Sequence, residues 1–192
     1  FANTTFYKPS SLLTDNIPKK WVEYITVTLN TECKPNIYKY RVAGGRGMNP
    51  ASYGKWVITY DKKQRHFKCC RDLLKMIYEN DPHAKVLLFM PLIDLCSECA
   101  YFINKSLNYD ETFDYDLDIR TINSQNSKSD NERNKRADVI VTTIASCGTG
   151  TDIYGITDII SCSPYKSAIT AEQVFGRIRY CGKICHYYDI VD

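Results

Sequence analysis

The chain has 192 residues, 24% of them charged, and a formal net charge of +3. That length suits one domain with a single core, and so mild a positive charge permits a nucleic-acid partner without arguing for one, because clustering matters more than the sum. No apolar run approaches the roughly eighteen residues of a membrane span, and the first residues lack the charged–apolar–small order of a secretory signal.

Nine cysteines is an odd number in a chain of alternating strand and helix texture. This favours reduced thiols inside a cell over a disulfide framework. The sequence opens on Phe1 and stops within "YYDIVD", so it is expected to be a piece of a longer, soluble, intracellular polypeptide.

In chain order, "VEYITVTL" (22–29) reads as a strand. "NIYKYRV" (36–42) and "KWVITYD" (55–61) follow, separated by a loop rich in Gly, Asn and Pro. Alternation places Tyr38, Tyr40 and Val42 on one face and Lys39 and Arg41 on the other; Trp56, Ile58 and Tyr60 likewise share a face. The pattern predicts a β-hairpin with a long loop. Basic residues interleaved with aromatics can bind single strands, but a half-buried hairpin with its aromatics packed inward is the simpler reading.

Residues 66–80, "HFKCCRDLLKMIYEN", carry apolar groups at helical spacing (Phe67, Cys70, Leu73 or Leu74, Ile77), and Pro82 in "NDPH" stops the helix. "AKVLLFM" (84–90) is a continuous apolar run of strand length, as expected for a strand covered on both faces. "PLIDLCSECAYFINKSL" (91–107) then reads as a helix with Cys96, Cys99 and Phe102 or Ile103 on its buried side. The spacings Cys96/Cys99 and Cys181/Cys185 admit a zinc reading. Four ligands held by tight knuckles are needed for that, whereas the first pair sits in a periodic apolar stretch, where a thiol packs as a small hydrophobe. No metal ligand is assigned.

"TFDYDLDIRTI" (112–122) reads as a strand with an acidic, aromatic approach, and "NSQNSKSDNERNKR" (123–136) as a loop with a short helix. "ADVIVTTI" is a further buried strand, "TDIISCSP" another, "ITAEQVFGRIRY" a helix start and "KICHYYDIV" a last strand. Strand and helix alternate from Lys85 onward. That rhythm predicts an α/β fold, a parallel sheet with helices on both faces, preceded by an N-terminal β-rich segment or hairpin insertion. In such sheets ligands bind at the carboxyl ends of the strands. "TTIASCGTGTDI" (142–153) falls there; its small, hydroxylated and Gly residues let backbone amides approach a phosphate or sugar, with Asp152 as an acceptor beside them. A complete phosphate loop is missing. The nearest approach, "GRIRYCGKI", has five residues between Gly176 and Gly182 and Ile184 where a hydroxyl belongs.

The order "KVLLFMPLIDLCSEC", "VIVTTIASCGTGTDI" and "TAEQVFGRIRY" resembles motifs IV, V and VI of superfamily 2 helicases, as carried by their second RecA-like domain. The resemblance covers roughly residues 66–192; residues 1–65 match no motif and are expected to be a connecting segment with the inserted hairpin. It implies a RecA-like fold and an ATP-dependent helicase or translocase. ATP and Mg²⁺ would be held mainly by a first RecA-like domain upstream, leaving this piece alone inactive. Single-stranded or forked DNA would run across the top of both domains, RNA not being excluded. The competing reading is a non-catalytic nucleic-acid-binding or scaffolding domain of the same shape.

Residue by residue, the resemblance implies that Arg177 and Arg179 act as fingers on the γ-phosphate, and that Gly150, Asp152, Gln173 and Gly176 lie at the nucleotide. Thr142 or Thr143, the helix start near Leu92 and Ile93, and Ser124 and Ser127 with Arg133 would meet the nucleic-acid backbone. The family's common second arginine comes three residues after the first, where this chain has Tyr180; here it comes at two. This compact Gly-Arg-x-Arg form is similar to that of the herpesvirus origin-binding helicases and helicases of large DNA viruses. That narrower likeness implies a viral protein of DNA replication in the host cytoplasm or nucleus.

Overall fold

The computed structural model describes residues 4–6, 22–29, 52, 54, 56, 64–147, 153–163 and 183–191. Among them, seven strands form one sheet: β1 (Thr4–Phe6), β2 (Val22–Thr28), β3 (Val86–Phe89), β4 (Ile119–Ile122), β5 (Val139–Thr142), β6 (Asp158–Ser161) and β7 (Cys185–Val191), in the order β1-β2-β7-β6-β3-β5-β4. Every described pairing is parallel except β1 with β2. The adjacent strands β6, β3 and β5 are buried along their whole length. This is the expected consequence of their uninterrupted Val, Ile and Leu content.

Two helices cover one face. Helix α1 (Arg65–Asn80) buries Phe67, Cys70, Leu74, Ile77 and Tyr78, and helix α2 (Ile93–Asn108) buries Leu95, Cys96, Cys99, Ile103 and Leu107. These side chains meet Val86, Leu88, Val139, Val141 and Ile160 of the strands in one cluster. On the other face Leu87, Phe89, Ile140, Ile159 and Tyr187 pack with Cys147, Ile153 and Ile156. Alternate residues of each strand thus feed opposite layers, as a two-residue side-chain period requires. Two short helices complete the described part, α3 (Lys128–Asn134) and the single turn α4 (Ile144–Cys147). Among the described residues no helix is long and apolar enough to cross a membrane.

Six of the seven described cysteines settle into this core, Cys69 being only partly buried. Cys96 and Cys99 are fully buried in the α1–α2 layer, while Cys185 lies on the opposite face of the sheet. Burial pushes the Cys96 thiol up to about 12, as it does that of Cys69. Neither thiol is therefore a ready thiolate at neutral pH.

Two expectations are corrected. Ser52, Gly54 and Trp56 are helical, so no strand face begins at Trp56. The indole is 4% exposed and stands edge-on to the His66 ring at 6.4 Å, and those contacts override the local alternation. "NIYKYRV" and the remainder of the expected hairpin lie outside the described residues. Second, the strand expected over 112–122 pairs only from Ile119. Phe113 is buried and Tyr115 partly so, but this approach runs up to the sheet's outer strand, where the Asp118 amide is held by the Asp138 carboxylate at 2.9 Å.

Gly54 makes a close approach that a side chain would spoil. A Cβ placed there would lie 2.7 Å from both Cγ and Cδ1 of Leu92 and 3.5 Å from Cδ1 of Leu95. In a helix Ala is favoured over Gly by about 0.5–1 kcal/mol, whereas overpacking costs about 1–3 kcal/mol. The overlap wins: Gly54→Ala is expected to destabilise by about 1 kcal/mol in urea unfolding. On a Leu92→Ala background, which empties the space, the same change is expected to be neutral or stabilising.

Candidate functional site

The parallel strands end together at one edge, and three neighbours there carry the segments singled out by sequence. Phe89 of β3 and Ile122 of β4 both register with Thr142 of β5. The chain leaving β3 reaches Leu92 and Ile93, that leaving β5 reaches Thr143, and that leaving β4 reaches Ser124 and Ser127. Topology thus sets side by side three segments separated by tens of residues in sequence.

The two threonines divide the work. Thr142 is fully buried, and its hydroxyl donates to the Ile122 carbonyl at 2.6 Å, tying the ends of β5 and β4 together. Thr143 is 7% exposed; its Oγ1 accepts from the Ser146 amide at 3.0 Å and donates to the Ser146 hydroxyl at 2.8 Å. This caps the α4 turn, as Ser and Thr do at helix starts. Of the pair, Thr143 stands nearer solvent. Leu92 is the residue preceding α2, with extended backbone and no side-chain cap, and Asp94 lies in the first turn. The Leu92 side chain is partly buried and packs close to Gly54, while Asp94 is exposed.

Ser124 and Ser127 are exposed. Ser127 caps α3, its Oγ accepting from the Asp130 amide at 3.1 Å and donating to the Asp130 carboxylate at 2.7 Å. Arg133 is paired with the other oxygen of Asp130 at 2.8 Å. The loop is held by four asparagines that sequence reasoning missed. Asn123, 4% exposed, accepts the Gln125 and Asn126 amides on its Oδ1 at 2.9 and 3.2 Å. Asn131 reaches back from α3: its Nδ2 donates to the Asn123 carbonyl at 2.8 Å, and its Oδ1 accepts from the Asn123 amide at 3.3 Å and from Asn126 Nδ2 at 3.2 Å. Asn126 and Asn134 both donate to the Thr121 carbonyl. The available signal was Asn123 followed by free amides, the sequence mark of an Asx turn.

Beyond β6 the edge continues through Cys162, whose amide donates to the Phe89 carbonyl at 2.9 Å, and Ser163, whose amide donates to the Ser161 hydroxyl at 3.4 Å. Gly150 and Asp152, in 148–152, and Gln173, Gly176, Arg177 and Arg179, in 164–182, lie outside the described residues. The first of these segments is bracketed by Cys147 and Ile153, both buried; the second leaves Ser163 at the carboxyl edge. Among the described residues no group of His, Cys, Asp or Glu could hold a metal ion.

No family model matches the sequence, and no curated protein matches it. Solved structures do. The fold is similar to domain 2 of the DEAD-box helicase Mss116p bound to an RNA duplex, with a TM-score of 0.51 and 18% identity, over 65% of this chain and 48% of that one. It is similar to the Mycobacterium smegmatis helicase Lhr bound to ssDNA and AMP-PNP, with a TM-score of 0.52 and 18% identity, over 63% of this chain and 16% of that one. It is also similar to the C-terminal part of the Fun30 ATPase domain, with a TM-score of 0.51 and 12% identity, over 75% of this chain and 50% of that one. The chain matches half or less of each of these structures. What they have in common with it is the RecA-like α/β fold found in the C-terminal domains of superfamily 2 helicases.

Proposed function

We propose that this chain is the second RecA-like domain of an ATP-dependent superfamily 2 helicase or translocase. One observation carries the proposal: the loops bearing the motif IV and motif V likenesses, and the serine loop between them, leave adjacent strands at one carboxyl edge. In this reading residues 66–192 form the domain and residues 1–65 the connection, whose strands β1 and β2 extend the same sheet. The edge serves as part of a single-strand track. Thr143, the backbone at Leu92 and Ile93, and Ser124 and Ser127 would line it; contacts of this kind to phosphate oxygens position a strand without reading its sequence, and the Thr143 and Ser127 hydroxyls would have to turn from Ser146 and Asp130 to donate there. Thr142 supports that edge from below through its bond to Ile122. ATP and Mg²⁺ would sit against a first RecA-like domain, with Gly150, Asp152, Gln173, Gly176, Arg177 and Arg179 meeting the nucleotide from this side, and closure of the cleft would couple hydrolysis to stepping.

The narrower likeness to herpesvirus origin-binding helicases, and with it viral DNA replication, rests on the Gly-Arg-x-Arg spacing alone. None of the similar structures named above is of that subgroup.

The test is steady-state ATP hydrolysis by the full-length protein with and without single-stranded DNA or RNA. Turnover that rises at least several-fold with nucleic acid is expected. Strand binding with no hydrolysis would replace the motor by a non-catalytic nucleic-acid-binding domain, and neither activity would remove both.

A further inference from the structure

At the amino edge of the sheet, opposite the motif loops, three ionisable side chains stand in a row. The register places Glu23 of β2 beside His186 of β7, and His186 beside Asp158 of β6. His186 Nδ1 lies 2.9 Å from Asp158 Oδ1, and Nε2 lies 3.8 Å from Glu23 Oε2. Asp158 is 4% exposed, and its second oxygen accepts from the Thr157 hydroxyl at 2.7 Å.

The two arms of the imidazole differ. Nδ1 faces a buried carboxylate that needs a donor whatever the charge on the ring, so the proton stays on Nδ1 in both states. The proton that titrates is therefore the one on Nε2, which points across the strand pairing at Glu23. Protonated, the ring bridges two carboxylates; neutral, it turns a lone pair towards Glu23. Among the described residues, Glu23 and Asp158 are the charged groups facing it. Tyr188, on its own strand, meets it ring to ring at 6.1 Å, and burial keeps that phenol neutral by raising its pKa further. Asp189, also on β7, accepts from the Tyr24 hydroxyl, and Tyr24 stacks on Tyr187 with centroids 5.0 Å apart. Those contacts lie on the other face.

We infer that His186 is a proton-dependent clasp fixing β2, and with it the β1–β2 strand pair, to the body of the domain. In the sheet order β2 joins that body through β7, so the clasp sits on the seam. Asp158 raises the His186 pKa by its hydrogen bond, against burial and with help from Glu23. A raised value means that the contribution is complete below the ordinary histidine range and is lost as pH climbs through the folded-state pKa. Because His186 and Glu23 side chains are 37% and 56% exposed, the effect is that of a solvent-screened pair. The inference rests on this geometry and not on the helicase reading.

The experiment is amide hydrogen exchange in the full-length protein between pH 6 and about 9, corrected for intrinsic rates, with β3 as the internal reference. Protection of β2 relative to β3 is expected to fall about two- to fivefold on raising the pH. It should stay level in Glu23→Gln, in which the His186 pKa read by NMR also drops. Asp189→Asn is expected to keep the wild-type pH dependence. A wild-type ratio that does not change with pH, or an equal fall in Glu23→Gln, overturns the clasp.

Discussion

Arg177→Ala in the full-length protein is expected to lower ATP turnover by about 10³-fold or more, the range measured when a guanidinium finger is removed from nucleotide hydrolases. Nucleic-acid binding should change little. Arg177→Lys is expected to recover only a small part, because an ammonium is a hydrated point charge without the planar fork that matches phosphate oxygens. The neighbouring arginine sharpens the test. A helix advances about 100° per residue, so Arg177 and Arg179, two apart, point about 200° from one another if the segment is a regular helix. Only one of them then faces the γ-phosphate. One of the two, Arg177→Ala or Arg179→Ala, should accordingly cost far more than the other, and equal losses would mean that the segment is not a regular helix there. Turnover unaffected by Arg177→Ala would contradict the finger role outright.

The parts of the fold that were legible are those whose signal is local and long. β3, β5 and β6 announce themselves as apolar runs because both their faces are covered, and α1 and α2 as stripes of buried groups three and four apart. The carboxyl edge followed from the alternation of strand and helix, since parallel strands open their loops at a common end. What was not legible depends on distant partners. Trp56 sits in an alternating aromatic run, yet it is helical, and its setting involves Gly54 against Leu92 and its own ring against His66. The approach to β4 alternates inward and outward like a strand, but it pairs only once β5 comes alongside. Strand order was hidden for the same reason: nothing local to Val22–Thr28 says that it lies parallel to Cys185–Val191. At the carboxyl edge, the segments around Leu92, Thr142 and Ser124 were singled out by sequence and the asparagines that brace the serine loop were not, because an asparagine in a polar loop looks the same whether it faces water or a buried amide.

Those braces give the second large effect. Asn131→Ala is expected to destabilise the domain by about 1–3 kcal/mol. The side chain makes three bonds, to the Asn123 carbonyl, the Asn123 amide and the Asn126 side chain. Asn123 is 4% exposed, so water does not replace them freely, and each buried polar group left without a partner costs about 1–3 kcal/mol. Better helix propensity returns less than about 1 kcal/mol. Asn131→Asp separates the two directions of bonding: it keeps the acceptor and removes the donor, leaving a carboxylate against the Asn123 carbonyl, and should be at least as harmful. Ser127→Ala, which removes only the α3 cap, should cost about 1 kcal/mol. In conditions where both variants remain folded, Asn131→Ala should also weaken single-strand binding at fixed salt more than Ser127→Ala does. It shifts the whole loop that presents Ser124 and Ser127, and the second change deletes one hydroxyl. An unfolding free energy in urea within about 0.5 kcal/mol of wild type for Asn131→Ala would mean that the asparagine lattice does not brace the edge, and the serine loop would then lose its claim to a fixed place on the proposed track.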